Sequence, residues 1–302
     1  MPCNLPNFLI VGAAKCGTTS VHNYLKQHSQ IYMPAHKEPL FMVSDIYEKL
    51  SPKDPRYKIS EAHTVFSFDE YKNLFKAVEN EKVIGESSTP YLYYYKRSIP
   101  KIKKYLGDVH ILICLRNPVD RAYSSYNHSV RDTEEKCSFE EFLAKEEERK
   151  TENWDILNFP KGLGFYYDQV TAFQDNFSHV KICLAEDLKT KTVKTIQDIC
   201  SFLDVDSSFE PDVKMKHNKS QPPGSYFLHR LLSKDNILKD IGRPVLRAIF
   251  SQERVSRMST HLRNKNEKKM KPKTYEYLQG LYREDILKLQ GLIGRNLSDW
   301  LQ

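Results

Sequence analysis

The stretch Phe8-Leu9-Ile10-Val11-Gly12-Ala13-Ala14-Lys15-Cys16-Gly17-Thr18-Thr19-Ser20 decides the fold. Four apolar residues, two of them β-branched, predict a buried strand. Gly12 and Gly17 bracket a tight loop, and Val21, Tyr24 and Leu25 then fall on one face of a helix. A strand–loop–helix junction presents unpaired backbone N–H groups and the positive end of a helix dipole. It is a ready anion site, and glycines let the backbone approach a phosphate.

Working outward, Ile31-Tyr32-Met33 reads as a short strand ending at Pro34, and Val83-Ile84-Gly85-Glu86 as another, running into Ser87-Ser88-Thr89-Pro90. The run from Val109 to Leu115 is nearly all apolar, as a central parallel strand buried on both faces requires. Pro118 then fits the first turn of a helix from Val119 to about Val130. Ser138-Phe139-Glu140-Glu141 is a capping-box pattern opening a charged surface helix to about Lys150. Val180 to Leu184 is a strand, residues 193–203 a helix, and the stripe Leu278, Leu281, Tyr282, Leu289, Ile293 marks a helix over 275–293. The polar, Pro-punctuated stretch from Val43 to Tyr71 reads as irregular. Strands alternating with helices predict an α/β fold: one domain, 1–302, with a central parallel sheet flanked by helices and a P-loop-like nucleotide-binding junction.

Composition sets the limits. With 40% hydrophobic and 28% charged residues the chain can bury a core, which excludes a disordered or fibrous protein. No apolar run approaches the ~20 residues of a membrane helix. The first residues lack the charged segment, apolar core and cleavage site of a secretory leader, and the six scattered cysteines form no CxxC pair, so neither zinc nor another metal is expected. Cys114 and Cys183 lie in apolar runs and read as buried thiols. The expected location is cytoplasmic; the alternative is a Golgi lumenal domain with its anchor removed. The balance of 46 Lys+Arg against 39 Asp+Glu, a net +7, suits an anionic ligand, but no nucleic-acid motif accompanies it.

The spacing Gly12-x4-Gly17-Thr18-Thr19 matches a nucleotide-triphosphate loop, GxxxxGK[ST], except that Thr18 replaces the lysine and the loop's lysine is Lys15. A lysine moved to the shoulder of the loop suits a shorter terminal anion. Arg116 directly follows the buried strand, at the carboxyl edge where parallel sheets bind ligands. Ser124 lies eight residues on, two helical turns later. Guanidinium and hydroxyl together suit one phosphate; the plain alternative is a helix-capping arginine and a small packing serine.

Together these blocks resemble the sulfotransferase family that uses 3′-phosphoadenosine-5′-phosphosulfate (PAPS), in its heparan sulfate and bacterial branch. The first resembles G-x-x-K-x-G-T-[ST]-x-[LV], met by Gly12, Lys15, Gly17, Thr18, Thr19 and Val21. The second resembles R-N-P-x-x-R-A-Y-S-x-Y, met in full from Arg116 to Tyr126. Gly164-Phe165-Tyr166, Glu186-Asp187-Leu188, Phe202-Leu203 and Leu297-Ser298-Asp299-Trp300-Leu301 extend the similarity over 7–302.

The resemblance implies that Lys15, Cys16, Gly17, Thr18, Thr19 and Ser20 hold the 5′-phosphosulfate, that Arg116 and Ser124 hold the 3′-phosphate, and that no metal is needed. In a pattern like E-x-x-F-F, Glu38 takes the place of the general base and Met42 that of the second aromatic, while Lys15 stabilises the leaving group. His36, two residues away, is the rival base, and a solvated loop carboxylate the plain alternative for Glu38. A block like E-K-[ST]-P-x-Y is met only loosely, without its lysine, by Glu86 to Tyr91; Thr89 and Tyr91 become candidates for the acceptor cleft. Lys268 or Lys269, in a basic turn before the last helix, is a candidate for the 3′-phosphate. His128 reads as a helix-end residue. The acceptor is a hydroxyl- or amine-bearing sugar, lipid or small metabolite. The alternative function is a P-loop kinase or NTPase-like phosphotransferase; the moved lysine and the lack of a clear strand-end Asp for magnesium count against it.

Overall fold

A computed structural model describes residues 4–132, 135–213 and 270–302. Five parallel strands form its centre: β1 (Phe8–Gly12), β2 (Ile31–Tyr32), β3 (Val83–Ser87), β4 (His110–Leu115) and β5 (Val180–Leu184), in spatial order β2-β3-β1-β4-β5. Leu9 of β1 stands opposite Glu86 on one side and Ile111 on the other, and Ile113 stands opposite Ile182. Every residue of β1 is buried, as its apolar run requires of the middle strand.

From β1 the chain runs outward past β3 to β2, whereas from β4 it runs the other way to β5. The connections therefore diverge beyond the carboxyl ends of β1 and β4. That divergence opens the crevice in which parallel sheets take ligands.

Helices cover the sheet. The Pro90–Tyr93 turn packs on β1, Thr18–Leu25 packs against Thr192–Phe202, and Pro118–Arg131 packs against Pro272–Ile293. The Pro118–Arg131 helix starts where its sequence dictates: the Asn117 side chain accepts from the N–H groups of Val119 and Asp120, and Pro118 fills the first turn. The Pro272–Ile293 helix buries Thr274, Leu278, Tyr282, Ile286 and Leu289 at helical spacing.

Three expectations need correction. Residues 43–71 are not irregular: the helices Ser44–Tyr47, Tyr57–His63 and Phe68–Asn73 occupy them, the last capped by the Ser67 side chain. Each is about one or two turns long, and the prolines between them hide the periodicity. The charged helix beyond Ser138 is two, Phe139–Ala144 and Glu146–Thr151, meeting at Lys145, and it is more than a solvated flank. Its capping box forms, yet Glu146 and Arg149 are buried. The last helix opens three residues earlier than its apolar stripe suggests, with Pro272 in the first turn.

Candidate active site

The loop after β1 is tied to the neighbouring strand end: the Ala13 N–H donates to the Cys114 carbonyl at 2.7 Å. Gly17 precedes the Thr18–Leu25 helix with φ 89°, a left-handed backbone that favours glycine, and a Cβ there would lie 2.9 Å from Leu188 Cδ2. No side chain caps this helix, so its first N–H groups remain for an anion. Thr18 and Cys16 are buried, whereas Lys15, Gly17, Thr19 and Ser20 are half-buried. Lys15 also takes a left-handed backbone, φ 69°, which a non-glycine residue adopts at a cost.

Across the crevice, Arg116 lies just past β4. Its guanidinium is one-third exposed and 3.7 Å from Asp120. Its carbonyl accepts from the Tyr166 hydroxyl at 3.0 Å, and the next N–H, of Asn117, donates to Glu186 at 3.2 Å. Ser124 is half-buried on the following helix. The pair thus occupies the expected edge, with no hydrogen bond joining them among the described residues.

The third element is the segment after β2. The Glu38 N–H donates to the Ser87 carbonyl at 2.9 Å, that of Leu40 to Ser88 Oγ at 3.2 Å, and that of Met42 to the Tyr91 hydroxyl at 3.3 Å. The end of β3 and the turn after it therefore clamp the segment by its N–H groups, through one carbonyl and two side-chain hydroxyls. Glu38 and Leu40 have φ 61° and 59°. The Glu38 carboxylate pairs with Lys37, accepts from the Thr89 hydroxyl at 3.3 Å, and keeps about a third of its side-chain surface exposed (36%). Burial pushes its pKa up, but the Lys37 ammonium, Arg56 and the Thr89 hydroxyl together hold it below the ordinary glutamate value.

His36 is turned elsewhere: its Nε2 donates to the His63 carbonyl at 2.8 Å and its ring meets that of His63 edge-on. Tyr91 corrects an expectation. It is fully buried, with its hydroxyl spent on the Met42 N–H, so it supports the cleft from behind and does not line it. Lys268 and Lys269 lie outside the described residues.

Lys15 sits among charges of both signs. Burial, then the Arg131 guanidinium and, more weakly, Arg56 lower its pKa to about 8, against the opposing pull of Asp132 and Glu38. His128 lies in the same field; burial, with Lys15 next, lowers its pKa to about 4, so it is neutral at pH 7. The sequence reading missed Arg56, Arg131 and Lys37 and placed His128 only at a helix end. His128 and Arg131 share a face of the Pro118–Arg131 helix, a usable signal. Arg56 comes from a polar stretch with no signal at all.

Glu86, in β3, is fully buried; one carboxylate oxygen accepts from the Tyr71 hydroxyl at 3.1 Å. Burial raises its pKa to about 7, against the opposing pull of its hydrogen bonds and of Lys37. Its other oxygen, Oε1, has no hydrogen-bond partner among the described residues.

The family model for the sulfotransferase family matches residues 6–211. Among curated proteins the chain is similar to the membrane-associated sulfotransferase kil1 of Dictyostelium discoideum, 28% identical over 127 residues, covering 42% of this chain and 24% of that protein. It is also similar to carbohydrate sulfotransferase 15 of Homo sapiens, 26% identical over 168 residues, covering 44% of this chain and 30% of that one. The matches thus span about a quarter to a third of those relatives' length. Among solved structures, a sulfotransferase from Alicyclobacillus acidocaldarius superposes with a TM-score of 0.77 at 34% identity, covering 99% of this chain and 100% of that one.

Proposed function

The chain belongs to the sulfotransferase family, and from that premise we propose that it moves a sulfuryl group from PAPS to a hydroxyl or amine of a carbohydrate or small-molecule acceptor. The observation that carries this reading is the convergence of two anion-binding segments on one crevice. The uncapped helix behind Gly17 stands after β1, and Arg116 stands after the adjacent β4. A nucleotide with phosphates at both the 5′ and 3′ positions of one ribose needs two such sites.

The donor set fits that nucleotide. Thr18 stands where a triphosphate loop carries its lysine, and Lys15 on the loop's shoulder serves a shorter terminal group. Arg116 and Ser124 take the 3′-phosphate, by a bidentate fork and a hydroxyl. When bound, the nucleotide supplies a sulfuryl group already activated by its phosphate anhydride.

Glu38 takes the proton from the acceptor as it attacks, being ionised at neutral pH and only one-third exposed. Thr89 and Lys37 fix the orientation of that carboxylate. Lys15, protonated below about pH 8, places its charge at the bridging oxygen of the departing nucleotide. Thr89, bonded to that carboxylate, also stands on the acceptor side. Hydrogen-bonded to the His63 carbonyl, His36 supports the wall of the cleft in preference to acting as base.

Calorimetric titration tests the proposal. The desulfated product, 3′-phosphoadenosine-5′-phosphate (PAP), binds without metal, and Arg116→Ala weakens it by about tenfold to a hundredfold, the worth of a charge-assisted hydrogen bond. Preference for ATP with magnesium, unaffected by Arg116→Ala, would overturn the proposal and favour a phosphotransferase.

A further inference from the structure

Tyr166 joins the two halves of the crevice. It is fully buried. Its hydroxyl donates to the Arg116 carbonyl at 3.0 Å and lies 3.8 Å from Cys16 Sγ. Burial pushes the Cys16 thiol up to about 11, so it stays protonated, and its S–H has the Ala14 carbonyl within reach at 3.7 Å. The tyrosine oxygen therefore touches both the Cys16 sulfur in the loop after β1 and the main chain after β4.

The segment carrying Tyr166 is itself held from behind. Asp285, on the Pro272–Ile293 helix, accepts from the N–H groups of Tyr166 at 2.8 Å and Tyr167 at 3.2 Å. The ring of Tyr282, one turn earlier on that helix, packs where a Cβ on Gly164 would stand 2.6 Å away, and its hydroxyl donates to the Lys161 carbonyl at 3.0 Å. A side chain at position 164 would push the turn off the helix and draw Tyr166 out of the crevice floor.

Resting on the reading of the site as a PAPS pocket, we propose that Tyr166 is a positioning residue: its hydroxyl fixes the distance between the Lys15–Ser20 loop and Arg116, and so sets how well one nucleotide engages both. A ligand held at two points gains affinity from their fixed separation, whereas a ligand held at one point does not. A tyrosine that only filled the core would influence all ligands alike.

The discriminating measurement compares three nucleotides on wild type and Tyr166→Phe, which keeps the ring and removes the hydroxyl. PAP carries both phosphates, 5′-AMP only the one for the loop, and 3′-AMP only the one for Arg116. PAP affinity is expected to fall by about tenfold, the equilibrium equivalent of one lost hydrogen bond, while the single-phosphate nucleotides change by less than about twofold. Asp285→Asn, which loosens the turn and leaves the hydroxyl in place, gives the same pattern and serves as the second test should Tyr166→Phe fold poorly. Equal losses on all three ligands, or unchanged PAP affinity in a folded variant, would overturn the coupling alone. A wild type with no preference for PAP over 5′-AMP would overturn the pocket reading and the coupling together.

Discussion

Thr89 donates its hydroxyl to the Glu38 carboxylate at 3.3 Å, reaching from the turn after β3 to the segment after β2. With Glu38 as the base, this bond aims the carboxylate at the acceptor. Glu38→Gln keeps the shape and removes the proton acceptor. It is expected to lower kcat by roughly 10²- to 10⁴-fold, the usual worth of a positioned base, with PAP affinity unchanged by calorimetry. Thr89→Val lowers kcat in the same direction by less. A Glu38→Gln enzyme with wild-type kcat would remove Glu38 from the chemistry.

Lys37 predicts where the acidic limb of the rate profile falls. Burial alone would raise the Glu38 pKa, but the ammonium beside it wins and the pKa lies below the usual 4.5. The limb of kcat/KM that reports the free base therefore sits below pH 4.5. Lys37→Met removes the stabilising charge, leaves burial unopposed by its main partner, and moves that limb to higher pH. A limb that stays in place would show that another group sets it.

At the alkaline end the reporter is Lys15. Its pKa of about 8 reflects burial first, then the repulsion of Arg131. As pH rises through 8 the ammonium loses its proton, and kcat/KM for the donor nucleotide falls. Arg131→Gln removes one repelling charge, so the Lys15 pKa rises and the limb moves to more alkaline pH. Asp132, which Arg131 pairs with, is an anion that raises the Lys15 pKa, so freeing it adds to the same shift; a limb that stays in place or moves to lower pH would show that Arg131 does not set it.

The central strands β1 and β4 were legible because each is a short apolar run in a parallel sheet, where burial on both faces leaves a nearly unmixed signal. Val180–Leu184 is found at the residues its sequence suggests, and β1 differs only by the inclusion of Gly12. The loop after β1 and Arg116 were legible because glycine spacing and a strand-end arginine are local features. The charged surroundings of Lys15 were not. Arg56 and Arg131 reach it from segments 41 and 116 residues away, and no local pattern encodes such a meeting. Tyr91 misled because its place in a block like E-K-[ST]-P-x-Y does not say which way the side chain faces; its full burial and the bond from the Met42 N–H decide that. The helices within 43–71 were hidden because they are about one or two turns long, too short for periodicity to show.

Glu86 makes stability depend on pH in a way that isolates one buried group. Burial lifts its pKa to about 7, well above 4.5 for an exposed glutamate; the surrounding hydroxyls of Tyr71, Tyr91 and Ser88 and the charge of Lys37 lower it again without cancelling the burial. The folded chain thus holds a proton that the unfolded chain has released between pH 4.5 and 7. The stabilising contribution is complete below 4.5 and is lost as pH rises through 7, a change on the order of 3 kcal/mol. His22 and His128 act in the opposite sense, since burial lowers both to about 4 and their contribution is lost as pH falls. The wild-type melting curve therefore mixes the two trends, and the informative quantity is the difference from Glu86→Gln, in which the histidines cancel. That variant is expected to melt above wild type at pH 8 and to lose most of this advantage at pH 5. A melting difference that is the same at both pH values would mean that the Glu86 pKa is not raised in the folded protein.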